Sequence, residues 1–225
     1  MADSVVYIAD EIKSVRELHA DLLTAEARSQ PIADWLDQRA RRILEAHSAR
    51  DRAVVFHVSC WHPTLVGRKA DVIFAADFSI DDARETIARE YGFADWLEAS
   101  KQGQSPDAKF ENAVDTMLAG DTKQLREILE QHPSLVLERS CFGHRSTLLH
   151  YVGSNGVETW RQIVPPNLAD LARVILNAGA DINATAEMYG GGSTALGLLL
   201  SSAHPAAAGV TDEVAEVLRS AGANG

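Results

Sequence analysis

Apolar residues recur at steps of three and four along much of the chain, the spacing that places side chains on one face of an α-helix. The first such run covers residues 14–47, and Pro31 suits the first turn of its second helix. Later runs begin after Ser79, Asp121 and Asn167, residue types that often cap helix N-termini. The pattern predicts an all-α fold.

Residues 53–60, AVVFHVSC, are the exception, because their composition favours a strand. A shift of 70 residues, however, aligns 40–66 with 110–136 without a gap, placing Asp51 on Asp121 and HPTLV on HPSLV. The second copy has the pattern of a helix, so we predict a helix over 52–61 as well.

The rest of the N-terminal half divides into three parts. Residues 66–78, VGRKADVIFAADF, are predicted to form an extended finger or a hairpin. Ser79 is expected to begin a helix that runs through Asp82, Ile87 and Trp96. KQGQSP, residues 101–106, has the composition of a linker, which divides the chain into a helical N-terminal region, 1–105, and a second domain, 106–225.

Three segments of the second domain share one apolar pattern. The first is separated from the second by 46 residues, and the second from the third by 43. The matching positions, predicted to lie in the core of equivalent helices, are Leu125, Ile128 and Leu129; Leu171, Val174 and Ile175; and Val214, Val217 and Leu218.

The middle segment resembles an ankyrin repeat. Thr147-Leu148-Leu149-His150 stands where that family has T-P-L-H, and residues 179–183 read as its G-A-D-x-N ending. The resemblance implies a stack of three helical repeats, with His150 hydrogen-bonded to Thr147 and backbone, and a degenerate repeat at about 31–66. Residues 88–96 are similar to a segment that precedes the repeats of many bacterial ankyrin proteins. The chain departs from the family at Leu148 and at Gly197, which replaces the histidine.

Each repeat is longer than the usual ~33 residues. The resemblance implies that Gly156 ends the first helix of its repeat, so residues 157–167 are read as an insertion. A shorter insertion, 204–209, falls at the same point of the next repeat. Both insertions are therefore expected on one edge of the stack, where repeat proteins often bind their partners.

The candidate binding residues come from these insertions and their surroundings. Trp160 and Arg161 would offer an aromatic anchor beside a guanidinium that can hold a carboxylate or phosphate. Alternatively, the same side chains pin two long loops together, with Arg161 and Glu158 as a surface ion pair. The full set is Tyr151, Asn155, Glu158, Trp160, Arg161, Gln162, Tyr189 and His204.

Composition narrows the partners and the compartment. The formal net charge of −11 is spread along the chain, which argues against nucleic acid and anionic membranes. The two cysteines are too few for a disulfide framework, and the N-terminus has no pattern of a signal peptide. We therefore expect a cytoplasmic protein.

Neither a cofactor nor a metal is expected. His57, Cys60 and His62, with Cys141 and His144 a repeat away, lack the spacing that closes a tetrahedral zinc site. Gly190, Gly191 and Gly192 lack the Lys and Ser/Thr of a phosphate-binding loop, which favours a finger turn with Tyr189 exposed. No nucleophile motif of a known type is recognised.

Two functions follow from these patterns. The first is a non-catalytic binding module that presents loop and finger side chains to a protein. The alternative is a small-molecule-binding protein or enzyme, with an anionic ligand held in a pocket between loops 157–167 and 203–210. A cavity lined by Tyr151, Glu158, Arg161 and His204 would favour the alternative.

Overall fold

The computed structural model describes residues 5–224. The chain forms two compact units. The N-terminal unit spans Asp10–Pro106, and the C-terminal unit begins at Asp107 and also includes the segment that ends at Ala9. Both units are mainly helical, as predicted for an all-α fold.

Six helices build the N-terminal unit, with α2 packed against α3 and α5, and α1 against α3. Short 3-10 turns at Ala20–Leu22 and Ala27–Ser29 join α1 to α2. The helices are α1 Asp10–Leu18, α2 Ile32–Ser48, α3 Ala53–Trp61, α4 Ala70–Ala75, α5 Ile80–Glu90 and α6 Trp96–Ala99.

Ser79 caps α5, as predicted. Its hydroxyl accepts from the backbone N–H of Asp82 (3.2 Å), and the Asp82 carboxylate accepts from the backbone N–H of Ser79 (2.8 Å). The predicted continuation through Trp96 is wrong: α5 ends at Glu90, Gly92 turns the chain at φ +78°, and Asp95 caps the separate helix α6.

The finger or hairpin predicted for residues 66–78 is also wrong, because this segment contains α4. Its Ile73 side chain is fully buried, and the Ile73 carbonyl accepts a hydrogen bond from His47 Nε2 (2.8 Å). Residues 101–106, predicted to form a linker, are hydrogen-bonded to the start of α2. The carbonyls of Gln104 and Gln102 accept from the first backbone N–H groups of α2, at Ile32 (3.0 Å) and Ala33 (3.1 Å).

The C-terminal unit contains six more helices and a hairpin of two short strands. The strands are β1 Thr185–Ala186 and β2 Ser193–Thr194, and together with the turn between them they form the finger, residues 185–194. Further 3-10 turns lie at Pro133–Val136, Leu148–Gly153, Thr159–Arg161 and Met188–Gly190. The helices are α7 Ala108–Leu118, α8 Thr122–Gln131, α9 Leu168–Asn177, α10 Ala195–Ser201, α11 Ala203–Ala207 and α12 Thr211–Ser220.

The predicted register of three equivalent helices is confirmed. Helices α8, α9 and α12 each have 10 residues, and their bounds differ by the expected 46 and 43 positions. Helix α9 packs against both of the others, so the three form a row. Their shared buried positions are Leu125 and Leu129, Leu171 and Ile175, and Val214 and Leu218.

The helix predicted for 52–61 is confirmed as α3, and the turn before it repeats the turn before α8. Arg50 and Gly120, 70 residues apart, both have positive φ (55° and 81°). Asp51 and Asp121, which follow them, donate their backbone N–H to the carbonyls of Ala46 (2.8 Å) and Thr116 (3.2 Å). The buried faces differ, since α3 buries positions 54 and 58 whereas α8 buries positions 125 and 129.

Of the helix caps predicted at Asp121 and Asn167, the structure shows the first but not the second. Asp121 caps α8 by accepting from the Gln124 N–H (2.9 Å), as expected. Asn167 precedes α9, but its side chain makes no cap and instead donates to the Gly120 carbonyl (2.8 Å) and the Thr122 hydroxyl (2.9 Å). Asn167 therefore links the end of the insertion to the turn between α7 and α8.

Tyr7 joins the C-terminal unit through one antiparallel bridge with the insertion. Its N–H donates to the Val164 carbonyl (2.8 Å), and the Val164 N–H donates back to the Tyr7 carbonyl (2.9 Å). Tyr7 thus lies against the insertion.

Candidate functional site in the C-terminal unit

The insertion, residues 157–167, folds inward. Glu158 and Arg161 have no solvent exposure, and the exposed fractions of Trp160 and Gln162 are only 5% and 6%. The expectation that these side chains are presented to solvent is therefore wrong. The physical reason is internal bonding: the Gln162 amide donates to the Val157 carbonyl (2.9 Å), and Arg161 is surrounded by acids.

Arg161 is held by three carboxylates of its own chain. Its Nη1 lies 2.8 Å from Glu111 Oε2 and 3.0 Å from Glu158 Oε1, and its Nη2 lies 2.6 Å from Asp115 Oδ1. The guanidinium carbon lies 4.5 Å from the centre of the Trp160 ring. Burial opposes the charge of Arg161, but Glu111, Glu158 and Asp115 outweigh it and raise the Arg161 pKa well above its ordinary value. The donors predicted to hold an external anion thus bind internal ones.

Tyr151 and His144 complete this cluster. The Tyr151 hydroxyl donates to Glu158 Oε1 (3.3 Å), and burial, with the nearby Glu158 charge, raises the Tyr151 pKa well above its ordinary value. His144 Nε2 lies 3.7 Å from Glu158 Oε2. Burial, aided by the positive charges of Arg161 and Arg145, lowers the pKa of His144 to about 3. His144 is therefore neutral at physiological pH.

His150 makes the hydrogen bonds that the resemblance implies. Its Nδ1 accepts from the backbone N–H of Thr147 (3.0 Å) and lies 2.9 Å from the Thr147 hydroxyl, while Nε2 donates to the Ala184 carbonyl (3.1 Å). Burial lowers the pKa of His150 to about 4. At the start of α10, the Thr194 hydroxyl accepts from the Gly197 N–H (3.1 Å), which closes the turn without a histidine.

The resemblance implied that the helix containing His150 ends at Gly156, but the helix ends earlier. It is a 3-10 helix, Leu148–Gly153, and Ser154 ends it in the left-handed conformation (φ 44°, ψ 40°). A Cβ at Gly153 would lie 2.8 Å from the Leu198 Cβ, so glycine lets this helix approach α10 closely.

Both insertions start side by side, as the register predicted. Ser202, just before the second insertion, donates its hydroxyl to the Ser154 carbonyl (3.2 Å). The same Ser202 oxygen accepts from the His204 N–H (3.4 Å) and caps α11, so the second insertion is a short helix. His204 is half-buried on this helix.

Tyr189 is the exposed member of the predicted set. The Tyr189 hydroxyl donates to Asn155 Oδ1 (2.7 Å), next to the first insertion. The Asn155 amide in turn donates to the Ser201 hydroxyl (3.1 Å). The Tyr189 side chain is 61% exposed. The side chain of Leu200, the residue before Ser201, is 50% exposed. We call Asn155, Tyr189, Leu200 and Ser201 the finger-tip surface.

A groove of about 310 Å³ lies between α9 and α12, lined by Arg173, Asn177, Glu216 and Ser220 among others, and none of the predicted site residues lines it. Within residues 5–224, no group of three or more His, Cys, Asp or Glu side chains is arranged to hold a metal. Burial raises the pKa of the Cys141 thiol to about 12. No helix in that range is long and apolar enough to cross a membrane.

Glu111 and Asp115 were missed by sequence reasoning. They lie four residues apart on α7 and so share one helical face, a spacing that was visible in the sequence. Their common partner is 46 or more residues away, so nothing local connects them to Arg161.

Comparisons of this chain with family models, curated proteins and solved structures yield no match.

Proposed function

We propose that this chain is a cytoplasmic, non-catalytic binding module of the ankyrin type, which recognises a protein partner through the finger-tip surface. The row formed by α8, α9 and α12 supports the ankyrin assignment, as do the hydrogen bonds between Thr147 and His150 and the finger that follows α9. The insertions brace the stack, and the partner meets the finger beside them.

The observation that carries the proposal is the conformation of Tyr189. A large aromatic side chain is exposed here on a residue with φ 55° and ψ 33°, a left-handed conformation that residues other than glycine rarely adopt. The three glycines that follow have positive φ as well. Backbone strain of this kind clusters at functional sites, and aromatic side chains are frequent anchors of protein interfaces.

The buried groups support a non-catalytic role. With pKa values of about 3 and 4, His144 and His150 are neutral at pH 7 and have almost no exposed surface from which to accept a substrate proton. Both Nη atoms of Arg161 are paired with its three carboxylates. A ligand between loops 157–167 and 203–210 would have to displace these contacts to reach Arg161, so we favour the module over the small-molecule alternative.

Charge narrows the class of partner. With a formal net charge of −11, the chain repels nucleic acid and anionic membranes, and it attracts basic protein surfaces over a distance of about a Debye length. Glu187, exposed at the finger, adds negative charge beside Tyr189. We therefore propose a partner with a basic contact surface.

Tyr189→Gly tests the proposal, because glycine removes the ring and relaxes the left-handed backbone instead of straining it. We expect the variant to fold and to bind the partner about thirtyfold more weakly, which corresponds to a loss of ~2 kcal/mol from a central aromatic anchor. Partners captured by the wild-type chain from a cell lysate would be identified by mass spectrometry and their affinities measured with purified proteins.

Two control variants sharpen this test. Tyr189→Phe keeps the ring and removes only the hydroxyl bonded to Asn155, so most of the affinity should remain. Leu97→Ala removes a side chain that is 62% exposed in the N-terminal unit and should change nothing. Equal affinities for the wild type and Tyr189→Gly would contradict the proposal.

A further inference from the structure

A second buried polar cluster lies in the N-terminal unit, where α3, α5 and the residue after α1 supply one group each. His57 Nδ1, on α3, is 2.8 Å from Glu90 Oε2, on α5. His57 Nε2 is 3.3 Å from the Nε2 of His19, the residue that follows α1. All three side chains are completely buried. The result is a continuous relay from a carboxylate through two imidazoles.

His57 links the other two groups of this relay. A carboxylate accepts, so His57 Nδ1 carries a proton and donates it to Glu90. His57 Nε2 and His19 Nε2 share one hydrogen bond, so one of these two atoms carries a proton and the other accepts it. The other ring nitrogen of His19, Nδ1, is buried and has no hydrogen-bond partner among the described residues. A further proton on His19 would either lie on Nδ1, without an acceptor, or disrupt the hydrogen bond to His57.

Positive charges from α2 surround His19. Arg39 Nη2 lies 3.4 Å from Glu90 Oε1, and Arg39 Nη1 donates to the Tyr91 hydroxyl (2.6 Å), so the single buried carboxylate is already balanced. Arg42 Nη1 donates to the Leu18 carbonyl (2.9 Å), one residue before His19, while its guanidinium pairs with the exposed carboxylate of Asp21 (2.9 Å). A proton on His19 would therefore create a second, uncompensated cation beside Arg39.

We propose that the relay from Glu90 through His57 to His19 is an acid-sensitive latch that holds α1 against the rest of the N-terminal unit. Protonation of His19 requires water around its ring, and water reaches the ring when α1 detaches. Detachment exposes the apolar face of α1, Ile12 and Val15, together with the face of α3 on which α1 packs. Acidification thus uncovers a new apolar surface.

The direction of the pH dependence follows from the same geometry. Burial, followed by the charges of Arg39, His57 and Arg42, lowers the pKa of docked His19 well below the ordinary value of 6.5. Because the pKa of His19 is lowered in the docked state, its contribution to the stability of docking is complete above pH 6.5. Below pH 6.5 this contribution decreases progressively. The equilibrium constant for detachment of α1 should increase about tenfold for each pH unit below 6.5.

Hydrogen–deuterium exchange of the full chain between pH 7.5 and 5.0 tests the latch, once the intrinsic pH dependence of exchange is subtracted. Amides of α1 should show the tenfold increase in opening per pH unit, while amides of α2 keep their protection over the same range. In His19→Gln, whose amide can donate to His57 but cannot be protonated, the opening of α1 should be independent of pH. His62→Gln is the matched control, because His62 is in the same unit and bonds to Asp82 (3.4 Å), outside the relay; it should behave as the wild type.

Several outcomes would overturn the latch. These are an α1 opening that is constant with pH in the wild type, the same pH dependence in His19→Gln, or joint opening of α1 and α2. If His19→Gln fails to fold, the ¹⁵N spectrum of wild-type His19 decides instead. It should show one protonated and one unprotonated ring nitrogen at pH 6, and a docked imidazolium at that pH contradicts the proposal.

Discussion

Replacing Arg161 with methionine is expected to lower the free energy of unfolding of the C-terminal unit by roughly 3–5 kcal/mol. Methionine matches the length of the arginine stem and fills part of its volume beside Trp160. The change leaves Glu111 and Glu158 largely buried without the cation that balances them, since their side chains are 9% and 0% exposed. Unpaired buried charge is the dominant cost, whereas the loss of the arginine–tryptophan contact is smaller.

Urea denaturation followed by circular dichroism measures this effect, and Arg173→Met provides a matched control. Arg173 also pairs with two acids, Asp170 (2.7 Å) and Glu213 (3.6 Å), but its side chain is 47% exposed. Its loss should therefore cost less than about 1 kcal/mol. Adding Glu158→Gln to Arg161→Met should recover part of the stability, because it removes one unbalanced charge. Equal effects of the two arginine substitutions would mean that the Arg161 cluster is not buried.

The C-terminal unit is expected to lose stability steeply as the pH falls from 6.5 to 4. His144 and His150 have lowered pKa values of about 3 and about 4 in the folded chain, whereas both titrate near 6.5 when unfolded. Between these values only the unfolded state binds the protons, so stability is full above pH 6.5 and declines below it. Each histidine contributes a slope of about 1.4 kcal/mol per pH unit, or a loss of about 3 kcal/mol by pH 4.

Unfolding midpoints in urea, measured at intervals from pH 7.5 to 4, test this dependence. His144→Asn should flatten the curve by about 1.4 kcal/mol per pH unit, even if its stability at pH 7.5 is reduced. His132→Asn is the control for the removal of a histidine, because His132 is half-exposed and lies outside the buried cluster. A His144→Asn curve parallel to that of the wild type would show that His144 is accessible to protons in the folded chain.

The periodicity of apolar residues predicted the helices of this chain well where these helices are long and amphipathic. The apolar positions of α8, α9 and α12 repeat because each helix buries the same face against its neighbours. Helix α3 was predictable from a distant copy, even though its apolar composition favoured a strand. Helix α4 was missed because its six residues are too short to establish a period.

The site was harder to predict, because the insertion contains polar residues whose burial depends on distant partners. Charged residues such as Arg161 and Glu158 are typical of surface loops. Arg161 is nevertheless buried, and it pairs there with two acids on α7. A register argument placed the two insertions together, but it could not indicate which of their side chains face inward. The pairing of Tyr7 with Val164 has no sequence signal, since a single bridge has no period.

We propose that the insertion, whose side chains face inward, supports the stack, while the exposed finger tip contacts the partner. A photoreactive amino acid introduced at one position at a time tests this claim in living cells. Position 189 is in the finger, and position 166, an exposed proline, is in the insertion. Position 97 is a comparably exposed site in the N-terminal unit. We predict one specific crosslinked protein from position 189 and none from position 97 or 166; crosslinking from position 166 without any from position 189 would contradict the claim.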